Sequence, residues 1–301
     1  MPVNDSKNAS NVSPIYSLSH LTLLDCSTPE LVYIASRAGY DAINPRLIPL
    51  GVAGECPFPL LDKEMMRATH HALKVTGIEV QAIELARITD QCEVKSYESA
   101  IEGGAELGAH QLIASAWTHD PDDRSYLTDV FADLCDLAAS YGLSVSLEFP
   151  SFSRLNNLQE TAEIVQSANK PNGGILVDVL YMHMSQIPLD ELKTMPSEWF
   201  DHIHVCDMLP EIPETRSGMI QIARNSRLYP GEGCIDFKAI IEYLPPVNYC
   251  IEIPNRSRLA ELGYEEHARR CLHAAKKVLG PAKSKRTLAA SSPLNDKPIK
   301  E

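Results

Sequence analysis

Four short apolar runs in the second half of the chain end in residues that bind metals or move protons. They are Glu148 in LSVSLEFP, Asp178 in GGILVDV, His204 in HIHVCD, which stops at Asp207, and Glu252 in YCIEIPN. Charged side chains are seldom fully buried unless they are paired or bound to a cation. A single acidic strand end reads most simply as half of an ion pair. Three carboxylates and an imidazole on consecutive runs are a different case, because converging carboxylates repel one another strongly at low dielectric. A divalent cation relieves that repulsion. The donor set is mostly hard and suits Mn²⁺, with Mg²⁺ or Co²⁺ as options, in a site that keeps positions for water or substrate oxygens. A structural zinc would prefer thiolates or more imidazoles. An ion held this way polarises a carbonyl and a neighbouring hydroxyl. Glu148 and Glu252, on opposite sides of the bound carbon, are placed to act as acid and base.

The elements that must position these residues follow from alternating apolar and amphipathic stretches. Strands are expected at Tyr16–Ser19, Ala42–Asn44, Glu79–Leu85, Gln111–Ala116, Leu143–Phe149, Gly174–Val179, His202–Cys206 and Tyr249–Ile253. Helices are expected between them and at the end, Tyr264–Leu279 being the last, and 207–230 reads as a long loop. Several helix ends carry Gly and several starts carry Ser, Thr, Asp or Asn. Eight βα units in series predict an α/β chain folded as a single (β/α)8 TIM barrel over residues 15–280, with the active site at the C-terminal strand ends. A doubly wound sheet would carry a Gly-rich turn after the first strand, and SLSHLTLLDCS has none. Residues 1–14 and 281–301, rich in Ser, Asn, Pro and Lys, are expected as disordered tails.

Composition narrows the partners. With 44% hydrophobic and 22% charged residues, the chain has an ordinary globular make-up. A net charge of -13 disfavours nucleic acid and anionic membrane surfaces. The eight cysteines form no CxxC pair and read as free buried thiols of a reducing cytoplasm. No h-region or membrane-spanning run is present, so a cytoplasmic location is expected.

With these motifs in place, the chain resembles the xylose-isomerase-like TIM-barrel superfamily, the sugar phosphate isomerase/epimerase group. The resemblance rests on Glu148 in SLEFP, Asp178 in LVDV, His204 with Asp207 in HIHVCD, PGEG at 230–233 followed by Asp236 and Phe237, and Glu252 in IEIP, and it runs from Tyr16 to Leu279. It implies that the metal is held by all four residues and that the Glu148–Glu252 pair moves the proton.

The chain also departs from that pattern. Tyr181 stands where many relatives place a His, with His183 two residues later. Pro210 stands where ketose epimerases place an Arg, although Arg216, Arg224 and Arg227 lie in the same loop. Arg154 stands where those epimerases place a Glu. Arg154, Tyr181, His183, Glu84 and Arg46 are the candidate substrate contacts, and Glu84 could instead pair with Arg87. His202 is expected to point away from His204, into the layer between barrel and helices.

The expected function is that of a metal-dependent isomerase or epimerase on a small polyhydroxy or keto-acid substrate. An arginine facing the pocket would shift the reading towards a lyase resembling 3-dehydroshikimate or inosose dehydratase. A non-catalytic ligand-binding barrel is the alternative from another class, and homo-oligomerisation is left open. Resemblance to the apurinic endonucleases fails for want of additional histidines.

Overall fold

Local chemistry starts and stops the helices. Ahead of α1 (Thr28–Ala38), the Glu30 carboxylate reaches back to the Ser27 N–H at 2.7 Å. Asp62 accepts the Glu64 and Met65 N–H groups at the start of α2 (Lys63–Thr76), and Asn157 accepts the Glu160 N–H at the start of α5 (Leu158–Ala168). Between and after them run β1 (Tyr16–Ser19), β2 (Ala42–Asn44), β3 (Glu79–Val80), β4 (Ala82–Ile88), α3 (Glu98–Glu106), β5 (Gln111–Ala116), α4 (Arg124–Ser140), β6 (Ser144–Glu148), β7 (Gly173–Asp178), α6 (Val179–Met184), β8 (His202–Val205), α7 (Arg216–Asn225), α8 (Phe237–Tyr243), β9 (Asn248–Ile251) and α9 (Arg256–Leu279). This computed structural model describes residues 14–50, 55, 61–120 and 122–280. Residues 281–301 and all but the last residue of the expected tail 1–14 lie outside the described residues.

Every strand pairs parallel to its neighbours, in the order β3-β2-β1-β9-β8-β7-β6-β5-β4. The first and last members are consecutive pieces of one strand separated by Gln81. That residue's N–H donates to Ile43 O at 3.0 Å and its carbonyl accepts the His110 N–H at 3.2 Å. The sheet therefore closes on itself, and the nine segments make the eight strands of the expected barrel. Among the described residues no helix is long and apolar enough to cross a membrane. The seven described cysteines are free; Cys92 and Cys234 are only half-buried, unlike the buried thiols expected.

The two sides of the barrel wall are packed differently. Outside, side chains such as Leu31, Phe131, Leu134 and Ile164 fill one large apolar layer beneath the helices. Inside, a small apolar group of Ala82, Leu85, Ile113 and Leu176 shares the lumen with buried Asn44, Gln111, Ser146 and His202. Gln111 donates to Ser146 Oγ at 2.8 Å, and Asn44 meets His202 across the barrel at 3.4 Å. His202 therefore lies inside with His204, their rings 5.6 Å apart, and not in the outer layer. Residues two apart on a strand share a face, so the expected opposition was a misapplied alternation.

Three elements depart from the expected pattern in ways that matter for the site. Helix α6 starts directly at Asp178, whose Oδ1 accepts the Leu180 N–H at 2.8 Å. Helix α7 forms within the expected 207–230 loop, with Thr215 accepting the Gly218 N–H at 3.1 Å as its cap. Helix α9 starts at Arg256, earlier than expected, and is interrupted at Gly263, where φ is 73°.

Candidate metal centre and the cavity above it

Consecutive strands deliver the four residues singled out by their position. Glu148 ends β6, Asp178 ends β7, His204 lies in β8 opposite Asp178 in the ladder, and Glu252 follows β9. All four are buried. Donor atoms of Glu148, Asp178 and His204 lie within 4.8 Å of one another. Neither ring nitrogen of His204 makes a well-formed hydrogen bond, although Nδ1 is 3.3 Å from Glu148 Oε1 and 3.5 Å from Glu252 Oε2. A buried imidazole without a partner, set among carboxylates, is a group whose bonding a divalent cation completes. These three residues fit such an ion. His204 also falls near Glu84 and Cys250. Burial pushes the Cys250 thiol up to about 11, which makes that second grouping the poorer one for a cation.

Glu252 stands slightly apart from the triple because other groups hold both of its oxygens. Oε1 accepts the Ser19 hydroxyl at 2.9 Å, and Oε2 faces Arg227 Nη2 at 2.7 Å. Arg227 is the residue that spacing alone did not find. It is fully buried, and its Nη1 lies 2.7 Å from Asp178 Oδ2. Its Nε donates to Ala223 O at 2.8 Å and its Nη2 to the Tyr181 hydroxyl at 3.3 Å. Part of the repulsion that called for a metal is thus met by a guanidinium from the chain itself.

The placement of Arg227 is set by Asp207 and the PGEG segment. Asp207 exchanges backbone hydrogen bonds with Leu228 at 2.9 and 2.8 Å. Its carboxylate accepts the N–H groups of Gly231, Gly233 and Ile235 at 2.8, 3.0 and 3.1 Å. A Cβ at Gly233 would collide with Met208 O, so only glycine lets this loop close on the strand end. Arg227, directly before Leu228, is carried into the site. The signal available in the sequence was an arginine just ahead of the PGEG run.

Burial is the largest influence on the charges here, and neighbours decide the outcome. Burial lifts Glu84 to about 7, with Glu252 adding to the rise. Burial also lifts Asp178 to about 6, although Arg227 opposes it. For Glu252 the pull of His204 and Arg227 overcomes burial and holds the carboxyl well below its usual range. His204 is correspondingly raised, burial being outweighed chiefly by Glu252.

The cavity above the centre is lined by Leu21, Arg46, Glu84, Trp117, Phe152, Tyr181 and Arg224, among others, with Glu148, His204 and Glu252 at its floor. Glu84 and Leu85 reach it where the β4–β5 register shifts between Ile83 and Ala86. Glu84 pairs with Arg46 at 3.3 Å and not with Arg87, which donates to Leu50 O at 3.1 Å. Two candidate contacts are not brought to the cavity. Arg154 is held 2.8 Å from Asp123 and 2.8 Å from Glu160, acids that precede α4 and open α5. His183 lies 3.5 Å from Cys234, in a separate groove. Residues two apart on a helix face different ways, so α6 cannot turn both Tyr181 and His183 inward.

Known proteins agree with this architecture. The sequence model of the xylose isomerase-like TIM barrel family matches residues 32–274. Inosose isomerase of Bacillus subtilis (strain 168) is 26% identical over 123 residues, which span 40% of this chain and 42%, less than half, of that relative. The crystal structure of IOLI protein with a binding zinc atom superposes with a TM-score of 0.75 at 19% identity, covering 90% of this chain and 100% of that one. D-allulose 3-epimerase from Methylomonas sp. in complex with D-allulose superposes with a TM-score of 0.64 at 17% identity, covering 89% of this chain and 98% of the other. At these identities the structural likeness establishes the shared barrel.

Proposed function

The chain belongs to the xylose isomerase-like TIM barrel family, and from that premise we propose that it is a divalent-metal-dependent isomerase or epimerase that moves a proton next to a carbonyl in a small sugar-like substrate. The carrying observation is the convergence of Glu148, Asp178 and His204 within 4.8 Å, with Glu252 beside them and a cavity lined by Glu148, His204 and Glu252. Inosose isomerase and D-allulose 3-epimerase, as the named functions of similar proteins, support the same reaction class.

Glu148, Asp178 and His204 would hold the ion, with Glu252 as a further carboxylate at its edge. Mn²⁺, Mg²⁺ or Co²⁺ suits the oxygen-rich donors, and the similar IOLI structure is described with zinc. When bound, the ion supplies Lewis-acid polarisation of the carbonyl and its neighbouring hydroxyl, acidifying the C–H between them. To ligate, His204 would have to be neutral, and the charge of the ion would take the place of the imidazolium beside Glu252. Glu252 then accepts the substrate proton, and Glu148, across the cavity floor, serves the opposite face. Ser19 and Arg227 fix the Glu252 carboxylate on two sides, so it meets the carbon in one orientation. Trp117, Phe152 and Tyr181 wall the reacting carbon off from water.

The test is a screen of ketoses, inososes and cyclic keto-acids on metal-loaded protein, read by product mass and by deuterium uptake from D₂O. Isomerisation keeps the mass and a dehydratase loses one water. Full turnover in Glu148→Gln and Glu252→Gln with metal still bound would remove both from proton transfer.

A further inference from the structure

We propose that the mouth of the cavity is an oxyanion site, in which Arg46 and Arg224 hold a carboxylate at the end of the substrate remote from Glu148, Asp178 and His204. The inference rests on the reading of those three residues as the centre the substrate faces. Arg46 is 4% exposed, spends one nitrogen on Glu84 at a long 3.3 Å, and has a buried Nε with no partner. A buried guanidinium donor left without an acceptor is costly unless a ligand supplies one. Arg224, on α7, lines the same cavity and makes no hydrogen bond or ion pair among the described residues.

Two more arginines reinforce the pair. Arg87 and Arg216 donate to the carbonyls of Leu50 and Phe152, at 3.1 and 2.9 Å, and neither has a carboxylate partner among the described residues. Leu50 and Phe152 line the same cavity, so Arg87 and Arg216 approach its opening through those carbonyls, and burial with the charges of Arg46, Arg87 and Arg216 lowers the affinity of Arg224 for its proton against the opposing influence of Tyr181. In a chain with net charge -13, such crowding is not a general surface property. Among the described residues Glu84 pairs with Arg46, and nearby Glu55 accepts the Leu50 N–H at 2.8 Å. A planar carboxylate matches the arginine fork in two hydrogen bonds.

The experiment uses the full chain saturated with Mn²⁺ and isothermal titration with two probes. Glycolate offers one carboxylate and a hydroxyl; tartronate offers the same and a second carboxylate. Tartronate is expected to bind about tenfold more tightly, the size of one charge-assisted contact. Arg224→Gln should abolish that advantage and leave glycolate affinity unchanged, and Arg224→Lys should keep part of it. Arg224 is half-buried and makes no bond among the described residues, so the variant should fold, which its melting temperature checks. An absent advantage in the parent protein, or one that survives Arg224→Gln, overturns the oxyanion site. So does competition by inorganic phosphate where acetate has none. If glycolate fails to bind, the centre itself is in error, and tartronate affinity in the Arg224→Gln protein still decides the mouth.

Discussion

At the floor of the cavity carboxylates outnumber cations, and Arg227 commits its donors to Asp178, Glu252, Tyr181 and Ala223. At the mouth arginines outnumber carboxylates, and Arg224 has no bonded partner among the described residues. The contrast separates two uses of one side chain. A buried guanidinium with its donors spent is a counter-charge, and removing it strands the acids it served. An uncommitted guanidinium at an opening costs the fold nothing when lost and is available to a ligand.

The largest effect that could break this comparison is on stability. Arg227→Ala takes from Asp178 and Glu252 the guanidinium they share and leaves His204 as the cation beside them. A loss of about 3–5 kcal/mol is expected, which lowers the melting temperature by roughly 10 °C. Added Mn²⁺ should restore part of it by binding only the folded state. Arg224→Ala should cost less than about 0.5 kcal/mol. Equal losses in calorimetry would erase the distinction between floor and mouth.

Next in size is pH dependence in the metal-free protein. Glu84 titrates near 7 when folded and at its usual lower value when unfolded, so the folded state holds its proton more tightly. Its contribution to stability therefore falls as pH rises from about 4.5 to about 7 and is level beyond. Glu84→Gln removes that slope: it should raise the melting temperature by a few degrees at pH 8 and change nothing at pH 4. Glu252 has the opposite sign, its stabilisation being present above the usual carboxylate range and lost as acid neutralises it. A Glu84→Gln gain that is the same at both pH values would disprove the assignment.

Metal binding gives a sharper reading of the floor. His204 is held protonated by Glu252 in the metal-free site and must deprotonate to ligate. Mn²⁺ affinity should therefore rise with pH, with about one proton released. Titrations in two buffers of different ionisation enthalpy measure it, and an unchanged apparent enthalpy would show that His204 binds no proton or no metal. The smallest effect is expected at Arg154. Held by Asp123 and Glu160 outside the cavity, its change to Ala should alter kcat/KM by less than about twofold.

The strand-borne part of the site was legible because each residue is fixed by its own segment. An apolar run that ends in Glu, Asp or His says where that side chain emerges, and barrel closure brings the ends together. Glu84, at the end of the third run, was expected at the cavity by the same logic, whereas Tyr181 was singled out by comparison with the related pattern and Arg46 by its place after the second run; all three line the cavity. Arg227 was not, because its position depends on a loop pinned by Asp207 that no local pattern reveals. Helix α7 was hidden by its polar composition, with Gly218 in its first turn. Arg154 was drawn to the pocket on spacing, and its acids come from segments far away in the chain.

Asp207 has one more consequence, for how such chains vary in length. The strand end and the arginine are joined twice, by the Asp207–Leu228 bonds and by the carboxylate that gathers Gly231, Gly233 and Ile235. The segment from 209 to 214, ahead of α7, hangs from that clasp, so insertions and deletions there leave Arg227 and its bond to Ala223 where they are. Distance along the chain from His204 is then a poor guide to which arginine serves the acids, and distance back from the glycine loop is a good one.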